Sequence, residues 1–183
     1  MKRVFIIHGW GGNPNEGWFP WLKNELGKRG FSVAVPAMPN SDEPKIETWI
    51  PFLSKTVGKP DQQTYFVGHS IGCQTIIRYL QTLPSETKIG GAVFVAGWYN
   101  LRSLETEKEK RIAGPWVNEP RDDKKIRDSG AVEVVKSTGT VNERISPDRY
   151  QVRITQRADL DEEVYSKLKV NKLSDANFLE DFF

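Results

Sequence analysis

Histidine is nearly missing from this 183-residue chain: His8 and His69 are the two present, and none follows. Any imidazole that the protein uses must come from those two positions. Cysteine is scarcer still. Cys73 stands alone, which excludes an intrachain disulfide framework, and the two histidines lack metal-site spacing. No metal and no cofactor is expected. Neither sign of charge is in excess: 26 Lys and Arg against 24 Asp and Glu leave a formal +2. That balance gives no reason to expect a nucleic acid or a membrane surface as partner. No apolar run approaches the ~20 residues needed to span a bilayer. Met1-Lys2-Arg3 leads straight into a short apolar run and a polar loop, without a signal-peptide cleavage pattern. With the lone cysteine, this points to a reducing cytoplasm. The loop after the first apolar run lacks G-x-G-x-x-G, and no G-K-[ST] occurs anywhere, so the usual nucleotide signatures are absent too. The composition (38% apolar, 27% charged, six Trp) suits one globular domain over 1–183 with a sizeable core. Oligomeric state is not legible.

What is present centres on Thr64 to Ile77. Tyr65, Phe66 and Val67 suit a pleated strand. Gly68-His69-Ser70-Ile71-Gly72 follows, and then Cys73, Ile76, Ile77 and Leu80 fall at helical spacing until Pro84. A strand that turns sharply into a helix at the serine of G-x-S-x-G is a nucleophile elbow. Side chains at Gly68 and Gly72 would collide where strand and helix pack closely. The Ile71 amide, at the helix N-terminus, is placed to stabilise a developing oxyanion.

The remaining pattern alternates strands with helices. Val4–Ile7 reads as a strand buried on both faces, ending in the glycine-rich loop His8-Gly9-Trp10-Gly11-Gly12. A helix is predicted from about Trp18 to Leu26, stopped by Gly27 or Gly30, and a second buried strand over Phe31–Val35. Ile46, Trp49, Ile50, Leu53 and Val57 keep helical period, with Pro51 predicted to kink that helix or delay its start. Ala92–Ala96 is another buried strand. This order implies right-handed crossovers and a mostly parallel sheet covered on both faces, a three-layer α/β architecture. Residues 97–128, with the charged run Glu105 to Arg111, are expected to form a small lid over the sheet's C-terminal edge. Trp98, Tyr99 and Trp116 are candidates to line a pocket beneath it.

Phe5-Ile6-Ile7-His8-Gly9-Trp10-Gly11-Gly12, Gly17-Trp18-Phe19-Pro20-Trp21-Leu22, Val35-Pro36-Ala37-Met38-Pro39-Asn40 and Tyr65 to Cys73 together resemble the small serine α/β-hydrolase family that includes retinoblastoma-binding protein nine. Val95-Ala96-Gly97-Trp98 and Gly114-Pro115-Trp116 fit as well. The resemblance covers residues 1 to about 127. It implies an α/β-hydrolase fold and a metal-free Ser-His-Asp triad acting on a small-molecule substrate. A Leu-x-Cys-x-Glu motif is absent, so a retinoblastoma-type partner is not implied.

The triad is where the chain departs from the family. A serine hydroxyl needs a base to take its proton, and in this fold the order is Ser, acid, His. Here no histidine follows Ser70, and after the predicted strand Ala131–Val135 no carboxylate appears until Glu143. Residues 129–183 match nothing in the family, although Tyr150–Ile154 alternates like a strand and Leu160–Val170 reads as a helix. His69 reads as a satisfied structural histidine. His8 reads as a brace for the oxyanion loop or, less readily, as a base; Lys136 is a conceivable base, and Cys73 a core residue. Three accounts of the C-terminal part stand: divergence with loss of catalysis, a frame-shifted or altered translation, or an unrecognised base. The abruptness of the break favours the second. The expectation is a serine hydrolase of a small ester, thioester or amide, with Ser70 as nucleophile and Gly9, Trp10 and Ile71 at the oxyanion. The alternative is a catalytically impaired fold that binds a ligand or a protein.

Overall fold

The computed structural model describes residues 1–98, 104 and 106–129, together with the backbone of 132–135. Five strands, β1 (Arg3–Ile7), β2 (Ser32–Ala34), β3 (Thr64–His69), β4 (Gly91–Val95) and β5 (Val132–Val135), form one sheet in the order β2-β1-β3-β4-β5. Every pairing is parallel. The helices are α1 (Phe19–Lys28), α2 (Ile46–Val57), α3 (Ile71–Thr82), α4 (Glu107–Asn118) and α5 (Asp123–Ser129).

Two-residue periodicity sorts the strand side chains into two cores. Phe5, Ile7, Phe66, Ala92 and Phe94 point to the face covered by α2 and α3, with Trp116 of α4 and Ile126 of α5 joining them. Val4, Ile6, Val67 and Val93 point to the other face, against Phe19, Leu22 and Leu26 of α1. The three-layer α/β-hydrolase-like reading is therefore correct, and the described sheet is wholly parallel.

Local expectations fare unevenly. The predicted buried strand Phe31–Val35 is in fact a three-residue edge strand, with Ser32 exposed and Val33 and Ala34 half-buried. Among the described residues it pairs with β1 alone. Pro51 neither delays nor ends α2, which is continuous from Ile46 to Val57. Burial of Trp49, Ile50, Leu53 and Val57, worth about 1.5–3 kcal/mol per large side chain, outweighs one missing backbone hydrogen bond. Gly30, at φ 81, follows α1, while Gly27 lies within it. Residues 97–128 contain α4 and α5, on the connection from β4 to β5. The predicted elements at Tyr150–Ile154 and Leu160–Val170 lie outside the described residues.

In a sheet of this order, the connections from β1 and β3 leave in opposite directions. The crevice between their C-terminal ends is where open α/β sheets place ligands. Both glycine-rich motifs of the sequence sit there.

Candidate active site

Ser70 alone makes the turn from β3 into α3. Its backbone lies at φ 53, ψ −118, a conformation that costs a non-glycine residue about 1–3 kcal/mol. Two backbone hydrogen bonds hold it: Ser70 N–H donates to Val95 O at 3.0 Å, and Cys73 N–H donates to Ser70 O at 3.0 Å. The flanking glycines have a steric reason. A Cβ on Gly72 would stand 2.3 Å from Ile7 O and 2.7 Å from His8 O, and one on Gly68 would stand 2.8 Å from the Cys73 backbone. The first turn of α3 thus lies directly against the end of β1, with its N-terminal amides turned towards the crevice.

The loop after β1 closes the other side. A Cβ on Gly9 would lie 3.1 Å from His69 Nδ1 and 3.4 Å from Ser70 Cβ, so the Gly9 backbone passes close beside the serine. His8 fixes this loop. Its ring is 1% exposed, pairs with Gly9 O through Nδ1 at 2.9 Å, and accepts from Met38 N–H at Nε2, 3.0 Å. The Met38 amide can only donate, so Nε2 carries the lone pair and Nδ1 the proton. Both nitrogens are occupied: Nδ1 within the loop after β1, and Nε2 in joining that loop to the one after β2. Gly11 N–H to Ser41 O at 2.7 Å and Trp10 Nε1 to Asp42 O at 3.0 Å tie the same two loops. His8 is therefore placed as a brace, and Trp10 is anchored at the rim.

The Ser70 hydroxyl meets Trp98, whose indole Nε1–H lies 3.4 Å from Oγ. Trp98 is held in turn from α3. Gln74 Nε2 donates to Trp98 O, and Arg78 Nη1 donates to Gln74 Oε1 at 2.8 Å. Arg78 Nη2 donates to Trp116 O at 2.8 Å, near the C-terminal end of α4. Gln74 is fully buried and Arg78 is 5% exposed, and burial lowers the guanidinium's pKa from its ordinary value. The sequence reading passed over this network. Its signal was there: Gln74 and Arg78, four apart, within the otherwise mostly apolar stretch Ile71–Leu80.

Other expected residues are placed differently. His69 is not satisfied: its Nδ1 is buried without a hydrogen-bond partner. Its ring packs edge-on against Trp18 and Phe19 and faces the Cα of Gly9, none of which offers that nitrogen a partner. Burial lowers its pKa, partly countered by the Glu16 carboxylate, and His8 lowers it further. Trp116 does not line an open pocket. It is fully buried, edge-on to Trp49, and donates from Nε1 to Pro44 O at 3.1 Å. It lies with Ile112 and Ala113 on the buried face of α4, which carries it into the core. Cys73 is buried as expected, and burial pushes its thiol far up. Tyr99 and Lys136 lie outside the described residues. Among the described residues no group of three or more His, Cys, Asp or Glu gathers to hold a metal. No helix among them is long and apolar enough to cross a membrane.

Comparison with known proteins gives the chain's family. YdeN of Bacillus subtilis is 38% identical over 105 residues, which are 57% of this chain and 54% of that protein. The serine hydrolase RBBP9 of Rattus norvegicus is 30% identical over 83 residues, 44% of each chain. The chain thus spans about half the length of the curated relatives it matches. The crystal structure of the B. subtilis ydeN gene product superposes with a TM-score of 0.65 at 33% identity, covering 73% of this chain and 71% of that one. The family described as Serine hydrolase matches residues 4–135, well over half of the chain, and the chain belongs to that family.

Proposed function

We propose that the protein hydrolyses a small ester, thioester or amide through Ser70. The observation that carries this reading is the strained backbone of Ser70, set between β3 and α3 against the end of β1. Ser70 Oγ attacks the substrate carbonyl, and the oxyanion is held by the Ile71 N–H and the backbone of the Gly9–Trp10 loop. The alcohol, thiol or amine leaves, and water then cleaves the acyl-enzyme. His8 supports the loop and takes no proton from Ser70, because Met38 N–H holds its lone pair. The base is unassigned. The single cysteine supports a reducing cytoplasm as the setting.

The doubly engaged His8 and the lack of any histidine after Ser70 favour a second reading. In it the fold binds a ligand or protein at the same site and turns over weakly. A site without its triad histidine retains about 10³–10⁴-fold catalysis over water, so slow turnover fits either reading. Labelling with a fluorophosphonate probe, read by intact mass, separates them. Rapid addition of one adduct that is lost in Ser70→Ala supports the hydrolase. A folded protein that takes no adduct refutes it and leaves binding.

A further inference from the structure

The network behind Trp98 has a direction. A guanidinium can only donate, so Arg78 obliges Gln74 to turn its Oε1 towards Nη1. The Gln74 amide NH₂ must then face the other way, and it donates to Trp98 O. That bond pins the Trp98 backbone at the end of β4, and the indole N–H comes to Ser70 Oγ. Among the described residues no ion pair within 4 Å explains Arg78: it donates to Gln74 Oε1, Trp116 O and Glu119 O, each uncharged, and the Glu119 carboxylate acts on it only at longer range. A buried guanidinium whose hydrogen bonds all go to uncharged groups, with Nε left without a partner, is costly to keep, and here its bonds to Gln74 and Trp116 fix orientations.

Resting on the reading of Ser70 as the reacting group, we propose that Trp98 is a donor to Ser70 Oγ in the reaction, and that Gln74 and Arg78 are positioning residues acting through it. An N–H aimed at an oxygen favours the form that has lost its proton. The indole cannot accept that proton, so Trp98 lowers the cost of removing it without being the base. It also fills one lone pair of Oγ and turns the hydroxyl hydrogen away from the indole. The 3.4 Å separation suits a resting state, since such bonds tighten as charge develops. No signature in the sequence marks this role, because it depends on a side chain just after β4 meeting one just after β3.

The test has two arms. In the first, indole ¹⁵N–¹H spectra are recorded, with the Trp98 peak assigned by its loss in Trp98→Phe. The peak should move in Ser70→Ala, which removes its acceptor. It should also move in Gln74→Glu, which keeps a partner for Arg78 but takes the donor from Trp98 O. The exposed Trp21 should stay in place. Arg78→Lys keeps the charge, loses the fork, and carries the test if Gln74→Glu does not fold. The second arm times fluorophosphonate labelling, in which the Oγ–P bond forms, P–F breaks and the hydroxyl proton passes to water. Trp98→Phe and Gln74→Glu should each slow labelling about three- to tenfold, the range for one lost hydrogen bond. The double variant should be no slower than Trp98→Phe, since Gln74 acts through Trp98. A Trp98 peak unmoved in folded Gln74→Glu and Arg78→Lys overturns the positioning role. Unchanged labelling in Trp98→Phe, or additive effects in the double variant, overturns the donor role. A wild-type protein that does not label refutes the Ser70 reading instead, and the first arm still decides the relay.

Discussion

Replacing Gly72 by alanine tests how tightly the serine turn is built. The new Cβ would stand 2.3 Å from Ile7 O and 2.9 Å from Ile7 C. Ordinary contact begins about 1 Å farther out, and both obstacles are backbone atoms of a central strand. A side chain could swing aside; β1 cannot, because it is paired with β2 and β3. The first turn of α3 must therefore back away from β1, carrying Ser70 with it. Overpacking of this kind costs about 3 kcal/mol, against roughly 1 kcal/mol gained from the better helix propensity of alanine. The net loss of about 2 kcal/mol lowers the melting temperature by roughly 4–8 °C in a chain of this size. Gly27→Ala is the control: it lies within α1, where a Cβ would meet nothing within 4 Å, and it should stabilise by about 0.5–1 kcal/mol. Thermal melting by circular dichroism reads both. If Gly72→Ala melts at or above the wild type while Gly27→Ala behaves as stated, the contact of α3 with β1 is not what holds the turn.

Three further outcomes are expected. His8→Ala orphans the Met38 N–H in a buried site, at about 1–3 kcal/mol, while the Gly9 C=O keeps its bond from Gly12 N–H, so chemical denaturation should show a lower midpoint. The pH profile of Ser70 labelling should keep its shape in this variant, and loss of its inflection would make His8 a base after all. His69 has a folded pKa below its ordinary 6.5, so between those two values the unfolded chain binds more protons and stability rises with pH. Cooling of the melt as pH falls through about 6.5 should be shallower in His69→Asn than in the wild type; equal slopes would contradict the burial of that ring. Cys73 is buried with its thiol pushed up, so Ellman's reagent at pH 8 should find no reactive thiol in the native protein and one in denaturant.

The central strands were readable because each is buried on both faces. Val4–Ile7, Tyr65–Val67 and Ala92–Val95 are runs with hardly a polar residue, and such runs have few alternatives. The turn at Ser70 was readable for another reason: two glycines and a change of period mark a place where only one local structure fits. The edge strand at Phe31–Val35 looked like its neighbours because apolar residues also line half-covered positions. Pro51 does not delay the start of α2, since propensity is local while the burial that overrides it is not. His69 was misjudged because hydrogen-bond satisfaction depends on what surrounds the ring, and two aromatic rings and a glycine Cα surround it. Trp116 was assigned to a pocket by its place after a charged run. Its burial against Trp49 joins residues far apart in the chain, which no window of sequence displays.

Among the described residues three non-glycines have positive φ: Asn40 at 46°, Ser70 at 53° and Ala96 at 51°. They follow β2, β3 and β4, so all three lie at the C-terminal end of the sheet. Around the opposite end, the positive-φ positions before β2 and between α2 and β3 are Gly30 and Gly58, which bear no such strain. The molecule is thus relaxed at one pole and stressed at the other, by about 1–3 kcal/mol at each of the three sites. For adaptation to heat, this makes Ala96 the obvious place to gain stability, by a change to glycine. It is also the wrong place, because Ala96 links Val95, whose carbonyl holds the Ser70 amide, to Gly97 and Trp98, which stands over the serine hydroxyl. Selection for thermostability and selection for this site would pull on the same few dihedral angles. A heat-adapted relative should find its extra stability at the other pole.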